Sequence, residues 1–213
     1  MNKATAPARN HTFVTAANVA AQLHHANIIA NQISLTASNA RALALRAGHR
    51  AAGFRSLTEF IDELARKTDA AAQRINRQAM AMSRTASETE RAKNALIRFE
   101  QAYKKGEGHS YLSSVDQAKL ATQERYTQLG LRFINQVEDL KTMLVELGKE
   151  LRTANVLSAM SRVEAATSGK EFETSLNVIA ENVAQSAQKI QDHVRQSQQL
   201  VNSIRQSEAT VVH

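Results

Sequence analysis

Apolar and small residues recur along most of this chain at alternating steps of three and four, the spacing of the buried seam of a coiled-coil helix. The first seam ends at Ala47, and a second begins at Leu57 after a break bounded by two glycines, Gly48 and Gly53. Two helices joined by so short a break are typical of a helical hairpin. The pattern therefore predicts a first hairpin over residues 12–105 with its turn at 48–53.

The second half of the chain repeats this pattern. A third seam runs from Phe133 to Ala165, and a break at 168–172 separates it from a fourth seam. The predicted inward-facing residues of that fourth helix are Leu176, Ile179, Val183, Ser186, Ile190, His193, Ser197, Leu200 and Ile204. For the second helix they are Leu57, Ile61, Leu64, Thr68, Ala71, Ile75, Gln78 and Met82, followed by further heptad positions. A second hairpin is expected over 113–207, with 106–112 as a linker and 1–11 as a disordered tail.

Together these segments predict an all-α fold, an elongated antiparallel four-helix coiled-coil bundle built from two long helical hairpins. One proline, seven glycines and 4% aromatic residues suit narrow helical seams better than a broad globular core. The arms are short, long, long and short in chain order, so both turns are expected at one end of the bundle. Because periodicity does not specify which copy supplies a partner helix, a monomer that mimics a dimer and a homodimer both satisfy it.

A cluster of specific residues surrounds the first predicted turn and occurs again, in part, around the second. In the first copy it consists of Ile29, Ala30, Gln32, Leu35, Ala37, Asn39, Ala40, Ala44, Arg46, Ala47, Gly48, Gly53, Phe54, Leu64 and Ala65. In the second it consists of Asn155, Leu157, Val163, Glu164, Ala165, Ala166 and Gly169. At these offsets the chain resembles the cytoplasmic signalling tip of methyl-accepting chemotaxis receptors. The glycines Gly48, Gly53 and Gly169, together with Phe54, mark the hairpin turns in this comparison.

The resemblance implies partners, namely a chemotaxis coupling protein and a histidine kinase that bind near the turns. Apolar residues at the outermost heptad position are the candidate partner-binding residues: Ile28 and Leu35 in the first copy, Val156 and Val163 in the second. The glutamate and arginine that join neighbouring receptor dimers in this family are split between the copies: the first keeps Arg46 but has Leu43, and the second keeps Glu164 but has Thr167. The exposed phenylalanine of the family is replaced by Asn31 and Arg152, so a structural bundle that has lost kinase coupling and binds another protein is the alternative.

Composition and charge limit the location and the kinds of function that the chain could have. The chain has no cysteine and no apolar run long enough to cross a bilayer, which predicts a soluble, cytoplasmic protein. Its net charge of +7 is concentrated in residues 1–110, with 16 Lys and Arg against 8 Asp and Glu. Nucleic acid is a weaker alternative partner, because no aromatic residues interleave the basic ones. No phosphate loop or catalytic motif is present, so we expect no enzyme, cofactor or small-molecule substrate, and a metal or haem site at His24 and His193 is disfavoured.

Overall fold

The computed structural model describes residues 7–105 and 115–209, and these residues are almost entirely helical. Helix α1 spans Pro7–Arg46, and a short 3-10 helix, Gly48–Ala51, leads into α2, Ala52–Lys105. Helix α3 spans Asp116–Thr167 and α4 spans Lys170–Ala209. No strand occurs in these ranges, so the predicted all-α class is confirmed.

The element boundaries differ from the predicted ones in two places. Helix α1 begins at Pro7 rather than at residue 12, because proline has a helical φ and needs no hydrogen-bond partner for its nitrogen at a first helical position. The second turn is shorter than the predicted 168–172, since α4 already begins at Lys170. The rest of the predicted tail, residues 1–6, and the linker at 106–112 lie outside the described residues.

Both turns depend on a glycine in the left-handed region. Gly48 has φ 63° and Gly169 has φ 93°. This backbone conformation is energetically unfavourable for residues that have a Cβ atom. At the second turn the backbone N–H and the hydroxyl of Ser168 both donate to the Ala165 carbonyl, at 3.1 and 2.6 Å. Gly53 and Phe54, predicted to belong to the turn, lie instead in the first turn of α2.

The helices pack in a ring in which each one contacts mainly two neighbours. Helix α1 packs against α2 and α4, and α3 packs against the same two, so α1 and α3 occupy opposite corners. The core is one long cluster of Leu, Ile, Val and Ala plus a smaller cluster near the turns: Ala40, Ala44, Ala51, Phe54, Ala165 and Leu176. Small residues at these positions let the helix backbones approach closely around Phe54.

Polar contacts between neighbouring helices fix their relative positions. From α1 to α2 the partners are Asn27 with Asp69, Ser34 with Asp62 and Arg41 with Glu59. From α4 to α3 the Gln191 and Gln198 amides donate to the Leu151 and Leu144 carbonyls at 3.0 and 3.2 Å. In both pairs of helices the partner number falls along one helix as it rises along the other. Each hairpin therefore folds back on itself.

The buried positions agree with the predicted seams in α3, where all ten residues of the seam are buried, and depart from them in α2 and α4. In α2 the buried residues include Ala65, Ala72 and Ala79, whereas the predicted Ala71 and Gln78 are only half-buried. In α4 five of the nine predicted residues are buried, namely Leu176, Val183, Ile190, Ser197 and Ile204. The predicted Ile179, Ser186, His193 and Leu200 are half-buried, and the residue after each of them, Ala180, Ala187, Val194 and Val201, is buried instead. The buried residues of α4 follow one another at alternating steps of four and three from Leu176 to Ile204, which is two per heptad. The predicted period is therefore right, and one of the two positions was placed a residue too early.

Candidate partner-binding site near the hairpin turns

The four apolar residues predicted for partner binding all lie on the outer surface. On α1 the side chains of Ile28 and Leu35 are 43% and 68% exposed, and on α3 those of Val156 and Val163 are 58% and 66% exposed. Each sits on the side of its helix opposite the buried residues. Because α1 and α3 occupy opposite corners of the ring, the two apolar pairs face away from each other and form two separate surfaces.

Two ion pairs near the turns occupy equivalent places in the two hairpins. Arg41 on α1 contacts Glu59 on α2 at 3.3 Å, and Arg162 on α3 contacts Glu181 on α4. The arginines are 121 residues apart and the glutamates 122. The turn glycines Gly48 and Gly169 are also 121 residues apart, and the segment between arginine and glutamate is one residue longer in the second hairpin, so each hairpin is linked across its arms by the same interaction. Sequence analysis missed these pairs, although applying the repeat offset to charged residues would have found them.

Arg46 and Glu164, predicted as partner-binding residues, have different surroundings. Arg46 is exposed as the last residue of α1, whereas Glu164 is half-buried on α3. No ion pair joins them in the described part of the chain. The carboxylate of Glu164 instead lies over the backbone of Gly53, where a Cβ would come within 2.1 Å of Oε2.

The contact between Glu164 and Gly53 places a negative charge at the start of α2. That helix has no acidic residue in its own first turn. The N-terminal end of a helix carries partial positive charge, which favours a nearby carboxylate; the Ala52 N–H itself already donates to the His49 carbonyl of the preceding 3-10 helix. Glu164 thus ties the end of α3 to the beginning of α2, and the absence of a side chain at Gly53 makes room for it.

Several exposed apolar residues near the turns were not singled out from the sequence. They are Leu45 on α1, Phe60 on α2, Met160 on α3 and Val178 on α4. Phe60 lies seven residues after Gly53 and Met160 four residues before Glu164, so the two are offset by roughly 5 Å along the helix axes.

Histidines from α1 and α4 meet farther from the turns. The rings of His25 and His193 stack with centroids 5.5 Å apart, and Nδ1 of His193 lies 2.6 Å from Oε1 of Gln22. Burial, followed by the neighbouring His25, lowers the pKa of His193, while Asp192 acts in the opposite direction. His25 rather than the predicted His24 approaches His193. Within residues 7–105 and 115–209 no group of three potential metal ligands comes together.

None of the four helices, over its described length, is apolar enough to cross a membrane. No protein-family model matches this chain, and comparison with curated proteins gives no match.

Proposed function

We propose that this chain is a receptor-like signalling or scaffold protein that binds a chemotaxis coupling protein and a histidine kinase through its hairpin turns. The observation that carries the proposal is the doubled ion pair, Arg41 with Glu59 and Arg162 with Glu181, beside the outward-facing Leu35 and Val156. Leu35 and Val156 are themselves 121 residues apart, so the two hairpins present an apolar residue at the same place.

The architecture that we propose for this function is an elongated antiparallel four-helix coiled coil made of two hairpins within one chain. Helices α1 and α4 each have 40 residues, whereas α2 and α3 have 54 and 52. At about 1.5 Å per residue the long pair extends roughly 20 Å beyond the short pair. One chain would in this way supply the bundle that two receptor chains supply together.

Leu35 and Val156 are the residues that we expect to matter most for binding. Exposed apolar side chains near the centre of a contact contribute most when a partner fully removes them from water. Val163 extends the surface of α3 towards the turn, and Ile28 extends that of α1 away from it. We expect the protein to be located in the cytoplasm, where the coupling protein and the kinase are found.

A pull-down of the purified chain with a coupling protein and a histidine kinase tests this proposal. The wild-type chain should retain both, and the Leu35→Asp and Val156→Asp double variant should lose them, because each aspartate places an unpaired charge in the contact. Val178→Asp is the matched control, since Val178 is also exposed (54%) but lies on α4. Absence of binding, or equal binding by all three proteins, would refute the proposal.

A second candidate is a structural bundle that binds a different protein. This candidate is favoured by Asn31 and Arg152, because chemotaxis receptors have an exposed phenylalanine at the corresponding positions. Its distinguishing result in the same pull-down is a chain that folds normally and retains neither the coupling protein nor the kinase. A salt-sensitive mobility shift with DNA or RNA at physiological ionic strength would instead support the basic first half as a nucleic-acid surface.

A further inference from the structure

The outer face of α1 carries no formal charge over most of its length. Every exposed residue between Ala17 and Asn39 is neutral: Ala17, Asn18, Ala21, His24, His25, Ile28, Asn31, Gln32, Leu35, Ser38 and Asn39. The sequence contains no Lys, Arg, Asp or Glu from Asn10 to Ala40. A helix face in contact with water normally carries charged or other polar residues opposite its apolar stripe, and here the polar ones are all uncharged. The exposed side of α1 can therefore be covered by another surface without the desolvation of a charge.

The other three helices have charged outer faces. Exposed charges include Glu63, Arg66, Lys67, Arg74 and Arg77 on α2, and Glu146, Lys149, Glu150, Arg152 and Arg162 on α3. Lys189 and Arg195 are exposed on α4. Covering such residues with a partner would require desolvating them, which is costly unless each finds an opposite charge. Among the described faces, that of α1 is the one that another neutral helix can cover without this cost.

A second heptad stripe runs along the exposed side of α1. It consists of Ala21, Ile28, Leu35 and Ala42, seven residues apart and all exposed. Equal steps of seven keep these side chains on one line of the helix, as in the seam of a coiled coil. The inward seam of α1 is already filled by the bundle, so this outward stripe has no partner among the described residues.

We propose that the outer face of α1 packs against α1 of a second copy of this chain, forming a dimer of complete bundles. A second α1 is the expected partner because, among the described helix faces of this chain, only that of α1 is free of charged residues over most of its length. The face is roughly 35 Å long and about 10 Å wide, which gives a contact of about 350 Å² on each copy, smaller than a standard specific interface. The dimer is accordingly weak and concentration-dependent. This inference does not rest on the proposed function.

The two α1 helices run in opposite directions in the dimer. A parallel pair would bring the exposed Arg46 of both copies together at one end, where like charges repel. With Ile28 on the two-fold axis, the opposite arrangement places Leu35 against Ala21 of the second copy, so that a large side chain faces a small one. Helix α3 lies at the opposite corner of each ring, so Val156 stays accessible in the dimer, whereas Leu35 is accessible to a coupling protein only in the monomer.

Sedimentation of the purified full chain over a range of concentrations tests the dimer. The wild type should pass from one-chain to two-chain mass at micromolar concentration, and Ile28→Lys should raise the dissociation constant at least roughly a hundredfold. Val145→Lys on α3, which replaces an apolar side chain of similar exposure, should sediment as the wild type. Circular dichroism verifies the fold of each variant, and Leu35→Lys replaces Ile28→Lys if that variant unfolds. A wild type that stays monomeric, or an Ile28→Lys protein that dimerises normally, overturns the inference.

The direction of the two helices is tested by spin labels at a single introduced cysteine, His49→Cys, in a chain that otherwise has none. His49 is exposed and lies 21 residues beyond Ile28. Opposite directions separate the two labels by roughly 60 Å, at about 1.5 Å per residue on each side of the axis. Labels within roughly 25 Å of each other would mean a parallel pair and would overturn the proposed arrangement. Because no partner protein is present, neither experiment depends on kinase coupling.

Discussion

Replacing Gly53 with alanine sets two effects of similar size against each other. Alanine is favoured over glycine within a helix by about 0.8–1.0 kcal/mol. The new Cβ would, however, lie 2.1 Å from Oε2 and 2.4 Å from Cδ of Glu164, so the carboxylate must rotate away from the start of α2. The lost interaction with the helix N-terminus is worth about 0.3–1 kcal/mol. We therefore expect Gly53→Ala to change the free energy of unfolding by less than about 0.7 kcal/mol.

The same substitution should stabilise the protein when Glu164 is absent. In a Glu164→Ala background nothing opposes the alanine, and Gly53→Ala should raise the free energy of unfolding by about 1 kcal/mol. The difference between the two backgrounds is a coupling free energy of about 0.3–1 kcal/mol, which a double-mutant cycle measures by urea denaturation. Gly130→Ala on α3 is the control, since a Cβ there has no atom within 4 Å and should stabilise both backgrounds alike.

Two results would refute this reasoning. If Gly53→Ala is destabilising by more than about 1 kcal/mol in both backgrounds, the obstacle is the backbone rather than the flexible carboxylate. If the two single changes are additive, Glu164 does not interact with the start of α2. Either outcome would mean that the contact between α3 and α2 does not hold the turns together as described.

Three further predictions concern the core, the second turn and the histidines. Phe54→Ala should lower the free energy of unfolding by about 3–5 kcal/mol because Phe54 is fully buried, whereas Phe60→Ala should change it by less than about 0.5 kcal/mol, both by urea denaturation. Gly169→Ala should lower it by about 1–2 kcal/mol, seen as a lower melting temperature, because φ 93° is unfavourable for alanine. The pKa of His193 lies below its usual 6.5, so the unfolded chain binds that proton more readily and stability falls as the pH drops through 6.5. His193→Gln should make the difference in stability between pH 8 and pH 5 smaller, and an unchanged difference would contradict this origin.

Periodicity predicted the helices well because burying an apolar stripe is what stabilises them. It predicted the seam of α3 completely, since Leu at four successive core positions from Leu140 to Leu151 leaves no second choice. Periodicity misplaced four of the nine seam positions of α4, where two adjacent residues, such as His193 and Val194, both fit the heptad spacing. Only packing in three dimensions determines which of two adjacent positions faces the core.

The candidate site was predictable in part. Exposure at Leu35 and Val156 follows from their heptad positions, and the structure has both on the surface. The contact between Glu164 and Gly53 could not be predicted, because heptad spacing carries no information about which helix ends meet or at what height. The neutral face of α1 was visible in the sequence as a long stretch without charge, but its exposure depends on which side the bundle covers.

Titration of a purified chemotaxis coupling protein into this chain tests the proposed function most directly. The account predicts a saturable binding isotherm for the wild type and an equal one for Val178→Asp. For Val156→Asp, a change on α3 away from the α1 face, it predicts an affinity at least roughly tenfold weaker, with unchanged helicity. No saturable binding by the folded wild type, or the same affinity for Val156→Asp as for Val178→Asp, would contradict the receptor-like role.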